Sequence, residues 1–202
     1  MVTSKKMRVI LALALVLGVT VGGFSFDVHS FPDPIGKGDF LISGGFGLGK
    51  LYPNYWHSSA LLGGSLAVEY ALPINFALTV GGELGFSGSN LKGYSGYDSD
   101  ISLLEIPVIA RVAWHPNWEV KNLDTYVLAK IGYGFGVWAG DDNWDNPNGF
   151  IFGTNIGVRY FFTQALGVFA EGGYEYHHLD SDGFAPSAFG VKFITLGLTL
   201  KP

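Results

Sequence analysis

The sequence predicts an all-β chain: an eight-stranded antiparallel up-and-down transmembrane β-barrel, preceded by a cleavable signal peptide. Three observations predict it. Apolar residues alternate with period two from about residue 38 to the C-terminus, as strands with two unlike faces require. Each ionisable residue in the middle of the first seven strands falls on the face opposite the bulky apolar row. Only 14% of the 202 residues are charged, against about a quarter in soluble domains, while 30 are Gly, 16 Phe, 10 Tyr and 5 Trp. A solvated sheet face would be richer in Lys and Glu, whereas Gly, Ala, Ser and Thr suit a crowded lumen.

Residues 1–25 carry the signal. Lys5, Lys6 and Arg8 precede an apolar run from Val9 to Val21, and small residues follow. As a helix that run covers only about 20 Å of a roughly 30 Å hydrocarbon core, so it is read as removable, with cleavage after Gly23 or Ser25. Residues 26–37 form a lead segment, and residues 38–202 form the barrel, in which no apolar stretch approaches 18 residues.

The first strand sets Phe40, Ile42, Phe46 and Leu48 against Leu41, Ser43 and glycines, and the second sets Leu62, Leu66, Val68 and Tyr70 against Ser65, Ala67 and Glu69. The third places Phe76, Leu78, Val80, Leu84 and Phe86 opposite Thr79 and Glu83; the fourth places Leu104, Ile106, Val108, Val112 and Trp114 opposite Glu105 and Arg111. In the fifth, Val127, Ile131, Tyr133, Phe135 and Val137 oppose Lys130, and in the sixth, Phe150, Phe152, Ile156, Val158, Tyr160 and Phe162 oppose Asn155 and Arg159. The seventh sets Leu166, Val168, Tyr174 and Tyr176 against Glu171 and Glu175. The eighth sets Ile194, Leu196, Leu198 and Leu200 against Thr195 and Thr199, with Lys192 in the apolar phase, which a bulge or a rim position accommodates.

Links near 72–75 and 163–165 are short and that near 115–124 is longer, whereas 52–58, 88–99, 139–148 and 177–187 are polar, aromatic and rich in Gly, Asn and Asp, as exposed loops are. Short turns face the periplasm in such barrels and the longer loops face outward. Apolar-face aromatics then form two girdles: Phe40, Tyr70, Phe76, Trp114 and Phe162 at the turn end, and Phe86, Phe135, Phe150, Tyr174 and Tyr176 at the loop end.

With its signal, amphipathic strands, girdles and apolar final strand Phe193 to Leu200, the chain resembles the small eight-stranded outer-membrane barrels of the OmpA, OmpX and OmpW type over residues 38–202. The resemblance implies a bacterial outer-membrane location, contact with outer-membrane lipid and lipopolysaccharide, delivery by the barrel-assembly machinery, and a monomer. Those families usually finish on a terminal aromatic, whereas this chain ends Leu200-Lys201-Pro202, and the periplasmic peptidoglycan-binding domain of many OmpA relatives is not expected.

A barrel of eight strands is just wide enough for side chains to fill. Glu69, Glu83, Glu105, Glu171 and Glu175 face Arg111, Lys130 and Arg159 there, and buried charges need partners, so an ion-pair network is expected to fill the lumen. Tyr55, Trp56, Tyr97 and Trp144 give the outer loops rigid aromatic surface suited to an extracellular protein or glycan. The leading reading is therefore a non-enzymatic barrel with a structural and surface-interaction role. A narrow channel, or an OmpW-like conduit for small hydrophobic molecules, is the transport alternative. A lipid-modifying enzyme at the rim is the other, resting on His177, His178, Asp180, Ser181 and Asp182. No catalytic residue, metal site or cofactor is assigned: Asp141, Asp142 and Asp145 are read as solvated loop acids, and the glycines of the fifth strand follow the pleat. A net charge of −5 leaves no basic footprint for nucleic acid, and with zero Cys there is neither thiolate nor disulfide chemistry.

Overall fold

Alternation puts every second side chain on the same face, and a sheet that twists can close on itself, leaving no unpaired edge. The computed structural model, which describes residues 29–53, 59–91, 101–139, 146–180 and 187–202, shows that closure. Strands β1 (Phe40–Pro53), β2 (Ser59–Ala71), β3 (Leu78–Leu91), β4 (Ile101–Trp114), β5 (Leu123–Ala139), β6 (Asn148–Phe161), β7 (Leu166–Asp180) and β8 (Ser187–Leu200) form one closed antiparallel barrel in chain order. β1 pairs with both β2 and β8, with Phe40 opposite Tyr70 and Ile42 opposite Leu200.

The bulky rows face out. Phe46, Leu66, Leu84, Val108, Ile131, Ile156 and Leu198 are exposed on the outer wall, while Glu69, Glu83, Arg111, Lys130 and Arg159 are buried inside. Alternation does not keep apolar groups off the inner face, however: Leu41, Leu128, Ile151, Phe161 and Phe169 point inward and are buried. A small barrel has to be packed by something, and these side chains fill the lumen where the sequence pattern shows mainly small residues. Glycine makes room for them. A side chain at Gly157 would run into the Tyr126 ring, and one at Gly197 would run into Phe169 and the β1 backbone.

Strands run 13 to 17 residues, longer than the roughly 9–11 needed to cross the hydrocarbon. They take in parts of the segments read from sequence as loops, since β3 continues to Leu91 and β7 to Asp180. At the other end the links are 72–77, 115–122 and 162–165. In the longest of these, Glu119 and Asn122 have φ of 57° and 64°, the left-handed region that tight reversals use.

The start of the described chain seals this turn end. Phe31 and Ile35 pack with Leu41, Ala71, Ala77 and Phe161 in one buried cluster. Lys201, just past β8, fastens the segment by donating from Nζ to Pro34 O at 2.7 Å and to Asp39 Oδ2 at 3.1 Å. On the opposite side Asn117 Nδ2 donates to Ser30 Oγ. The short-turn mouth is thus closed by an apolar stopper.

Candidate functional site

Period two carries ionisable side chains to the inner face of every strand from β2 to β7, an irregularity adds one from β8, and closure of the sheet brings them within reach across the barrel. The deepest layer lies behind the stopper. His115 Nδ1 is 2.8 Å from Asp124 Oδ1, Asp124 Oδ2 accepts from Arg159 Nη1 at 2.9 Å, and Arg159 Nε donates to Thr199 Oγ1 at 3.1 Å. The Arg159 guanidinium lies 4.9 Å from the centre of the Tyr126 ring. Thr79 Oγ1 donates to Glu69 Oε2 at 2.8 Å and lies 3.0 Å from His115 Nε2. Asp124, His115 and Thr79 follow the order of a hydroxyl-nucleophile triad. All three are fully buried, and the Phe31 ring packs on His115, so no substrate can approach the hydroxyl.

The middle layer joins opposite walls. Arg111 reaches Glu69 at 3.1 Å, Glu83 at 2.8 Å and Glu171 at 3.4 Å. Lys130 reaches Glu83 at 3.0 Å, Glu171 at 3.2 Å and Glu175 at 3.4 Å. Glu171 also accepts from Asn155 Nδ2 at 2.6 Å and from the Tyr126 hydroxyl at 3.1 Å. Arg159 links this layer to the one below through Glu69 at 3.5 Å.

Above it, Lys192 Nζ is 2.8 Å from Glu175, and His177 Nδ1 is 3.0 Å from Glu105 Oε1. His177 Nε2 lies 3.6 Å from Glu175 Oε2, beyond hydrogen-bond distance. A cavity of about 30 Å³, room for about one water, lies between Glu83, Glu175, His177 and Lys192 on one side and Leu48, Leu61 and Phe86 on the other. Among the described residues no group of three or more His, Asp or Glu side chains is arranged to hold a metal ion.

Of the eight ionisable residues singled out in the sequence, seven thus touch one another, and Glu105 joins them through His177. Sequence reasoning left Asp124, His115 and His177 out of the lumen and gave Lys192 a bulge or rim position without a partner; each lies against an ionisable partner there. Three of them continue a phase already recognised: Asp124 lies six residues before Lys130, His115 four after Arg111, and His177 two after Glu175, all even spacings on the inner face. His177 therefore belongs to β7 and the lumen, which corrects its placement in a loop; Ser181 and Asp182 lie outside the described residues. Lys192 is carried inward by an irregularity in β8. Lys192 pairs with Gly173 and Thr195 with Glu171, so β8 has one residue more than β7 across this step, and the phase inverts.

On the outer wall, Phe40, Phe76 and Phe162 at the turn end and Phe86, Phe135, Phe150 and Tyr174 at the loop end are exposed, with Tyr70, Trp114 and Tyr176 half-buried. Neighbouring rings meet at a tilt: Phe40 and Tyr70 with centroids 4.9 Å apart, and Phe152 and Tyr176 likewise at 4.9 Å. Tyr55, Trp56, Tyr97 and Trp144 lie outside the described residues, as does the segment read as a signal.

An apolar outer wall around a charged, closed interior inverts the layout of a soluble domain. A family model for the outer membrane protein beta-barrel domain matches residues 11–201. The chain belongs to this family. This outer-membrane barrel resides in the bacterial outer membrane, its outward rows in contact with lipid. Its fold is similar to that of Neisserial surface protein A, at 14% identity and a TM-score of 0.58, over 81% of this chain and 97% of that one. It is also similar to Ail, the attachment invasion locus protein of Yersinia pestis, at 15% identity and a TM-score of 0.50, over 82% of this chain and 99% of that one. Among curated proteins, none matches it in sequence.

Proposed function

We propose that this protein is a closed, non-conducting outer-membrane barrel that strengthens the envelope and presents its outer loops to an extracellular protein or glycan. The observation that carries the closed reading is the interior: Arg111, Lys130 and Arg159 join carboxylates from opposite walls, and the Phe31–Ile35 stopper covers the turn-end mouth. A lumen filled in this way frees the loops from any gating task. The surface role is supported by the aromatic loop residues Tyr55, Trp56, Tyr97 and Trp144 and by fold similarity to Ail, named the attachment invasion locus protein. The test is binding of cells expressing the wild type to a glycan array and to immobilised extracellular-matrix proteins. A signal that the combined Tyr55, Trp56, Tyr97 and Trp144 alanine variant loses, with surface expression unchanged, is expected. No binding above cells lacking the protein would reject the surface role.

A narrow conduit, or one for small hydrophobic molecules, is the second reading, favoured by the small cavity beneath the loop-end mouth. Planar-bilayer recordings of the wild type, Arg111→Ala and Arg159→Ala separate the two: a silent wild type is expected, and discrete openings in the wild type would favour transport.

A further inference from the structure

We propose that the outer wall over β6–β8 holds a seat for one acyl chain of a phospholipid in the inner leaflet. Its origin is the irregular pairing of β8 with β7. Gly172, opposite Ile156 on β6, faces the two-residue bulge of β8, where the register shifts between Glu171 and Gly173. Ala170 is the next outward position on β7 and Thr154 lies diagonally across, so small side chains flank Ile156 where the register shifts. Val158, Tyr174 and Ile194 stand around them, Ile156 and the stem of Lys192 complete the lining, and the result is a largely apolar trough of about 680 Å³. Val158 and Ala170 also line a second trough of about 350 Å³ that extends toward Tyr160 and Val168. Each is within the roughly 300–1,000 Å³ of sites that take small molecules.

The surroundings and the length name the occupant. The trough lies within the lipid-facing wall, so acyl chains are the medium that meets it, and a gap there would forfeit dispersion contacts. From Thr154 to Tyr160 is six residues of strand, about 20 Å, which at a tilt of about 40° is roughly 15 Å of depth. That is half of an approximately 30 Å hydrocarbon core, the span of one leaflet. On β6 the girdle residues are Phe150 at the loop end and Phe162 at the turn end, so the trough runs from near the midplane toward the turns. With the turns in the periplasm, that is the inner leaflet; the leaflet assignment rests on this orientation.

The experiment is native mass spectrometry of the barrel extracted from membranes in mild detergent. The wild type should retain one phospholipid per chain. Ala170→Leu and Thr154→Leu, which fill the trough with residues that strands accept, should each lower the bound-to-free ratio about tenfold, the factor corresponding to about 1.4 kcal/mol. Val108→Leu on the β4 outer wall should leave it unchanged, and the gel shift on boiling reports folding for every variant. Delipidated wild type returned to phosphatidylethanolamine should saturate at one adduct per chain, a readout that needs no substitution. The proposal is overturned by no adduct, by an adduct of lipopolysaccharide mass, by equal retention in both filled variants, or by a titration that never reaches a plateau.

Discussion

Arg159 and Arg111 lie in the same lumen, yet their losses should not cost the same. Neither guanidinium can shed its proton, so replacing either by Met leaves buried carboxylates facing a missing charge, at about 3–5 kcal/mol for a broken buried pair. Without Arg111, Glu83 and Glu171 still have Lys130 at 3.0 and 3.2 Å, and Glu69 still has Arg159 at 3.5 Å. Without Arg159, Asp124 keeps only His115 among its described partners, Thr199 Oγ1 keeps only Ser43 Oγ, and the Tyr126 face loses a cation. Arg159 is also the more deeply enclosed, its side chain fully buried against 5% exposed for Arg111. Arg111→Met should therefore fall near about 3 kcal/mol and Arg159→Met near about 5 kcal/mol. With a urea slope of about 2 kcal/mol per molar, the two midpoints should differ by about 1 M. The measurement is urea unfolding of the refolded barrel, followed by tryptophan fluorescence and by the difference between unboiled and boiled bands. Adding Asp124→Asn to Arg159→Met should recover much of the loss, since the stranded charge is then gone. Costs of about 1 kcal/mol or less for both variants, as at solvent-exposed pairs, would refute the reasoning and indicate a hydrated lumen.

Other perturbations probe separate parts of the molecule. Phe31→Ala should cost about 3–5 kcal/mol and unseal the turn-end mouth, so that a reporter Ala77→Cys, in a chain without native cysteine, reacts with a maleimide only in that background. His177→Ala removes the described partner of Glu105 and should cost about 1–3 kcal/mol, most of it recovered by adding Glu105→Gln; an altered lipid A profile in His177→Ala would instead support the enzyme alternative. Val108→Arg, near the middle of β4 on the outer wall, should cost about 2–4 kcal/mol, and Phe86→Arg at the girdle only about 0–1 kcal/mol; equal costs in urea titrations would count against that wall facing lipid.

What the sequence shows of this barrel is what a single strand decides. The period-two rows fix which way Glu83, Arg111 or Phe86 points, because a one-residue slip would turn a whole row into lipid. Strand limits are less legible, since alternation continues past the hydrocarbon without announcing an end; extending the inner phase of β5 back from Lys130 through Leu128 and Tyr126 would have reached Asp124. Partners are harder still. Glu105 meets His177, 72 residues away, only because β4 and β7 face each other across a closed circle, a property of closure and register rather than of either strand. Lys192 marks the remaining boundary. By strict alternation from Leu196 and Ile194 it belongs to lipid, where a charge costs about 2–4 kcal/mol at midplane, and that cost is the physical reason to expect a break in phase. The break lies between Lys192 and Thr195, and the same extra residue that delivers Lys192 to Glu175 sets a bulge against Gly172 on the outer face. One irregularity in backbone pairing thus shapes both sides of the wall: it adds a cation to the lumen and hollows the surface that meets the membrane.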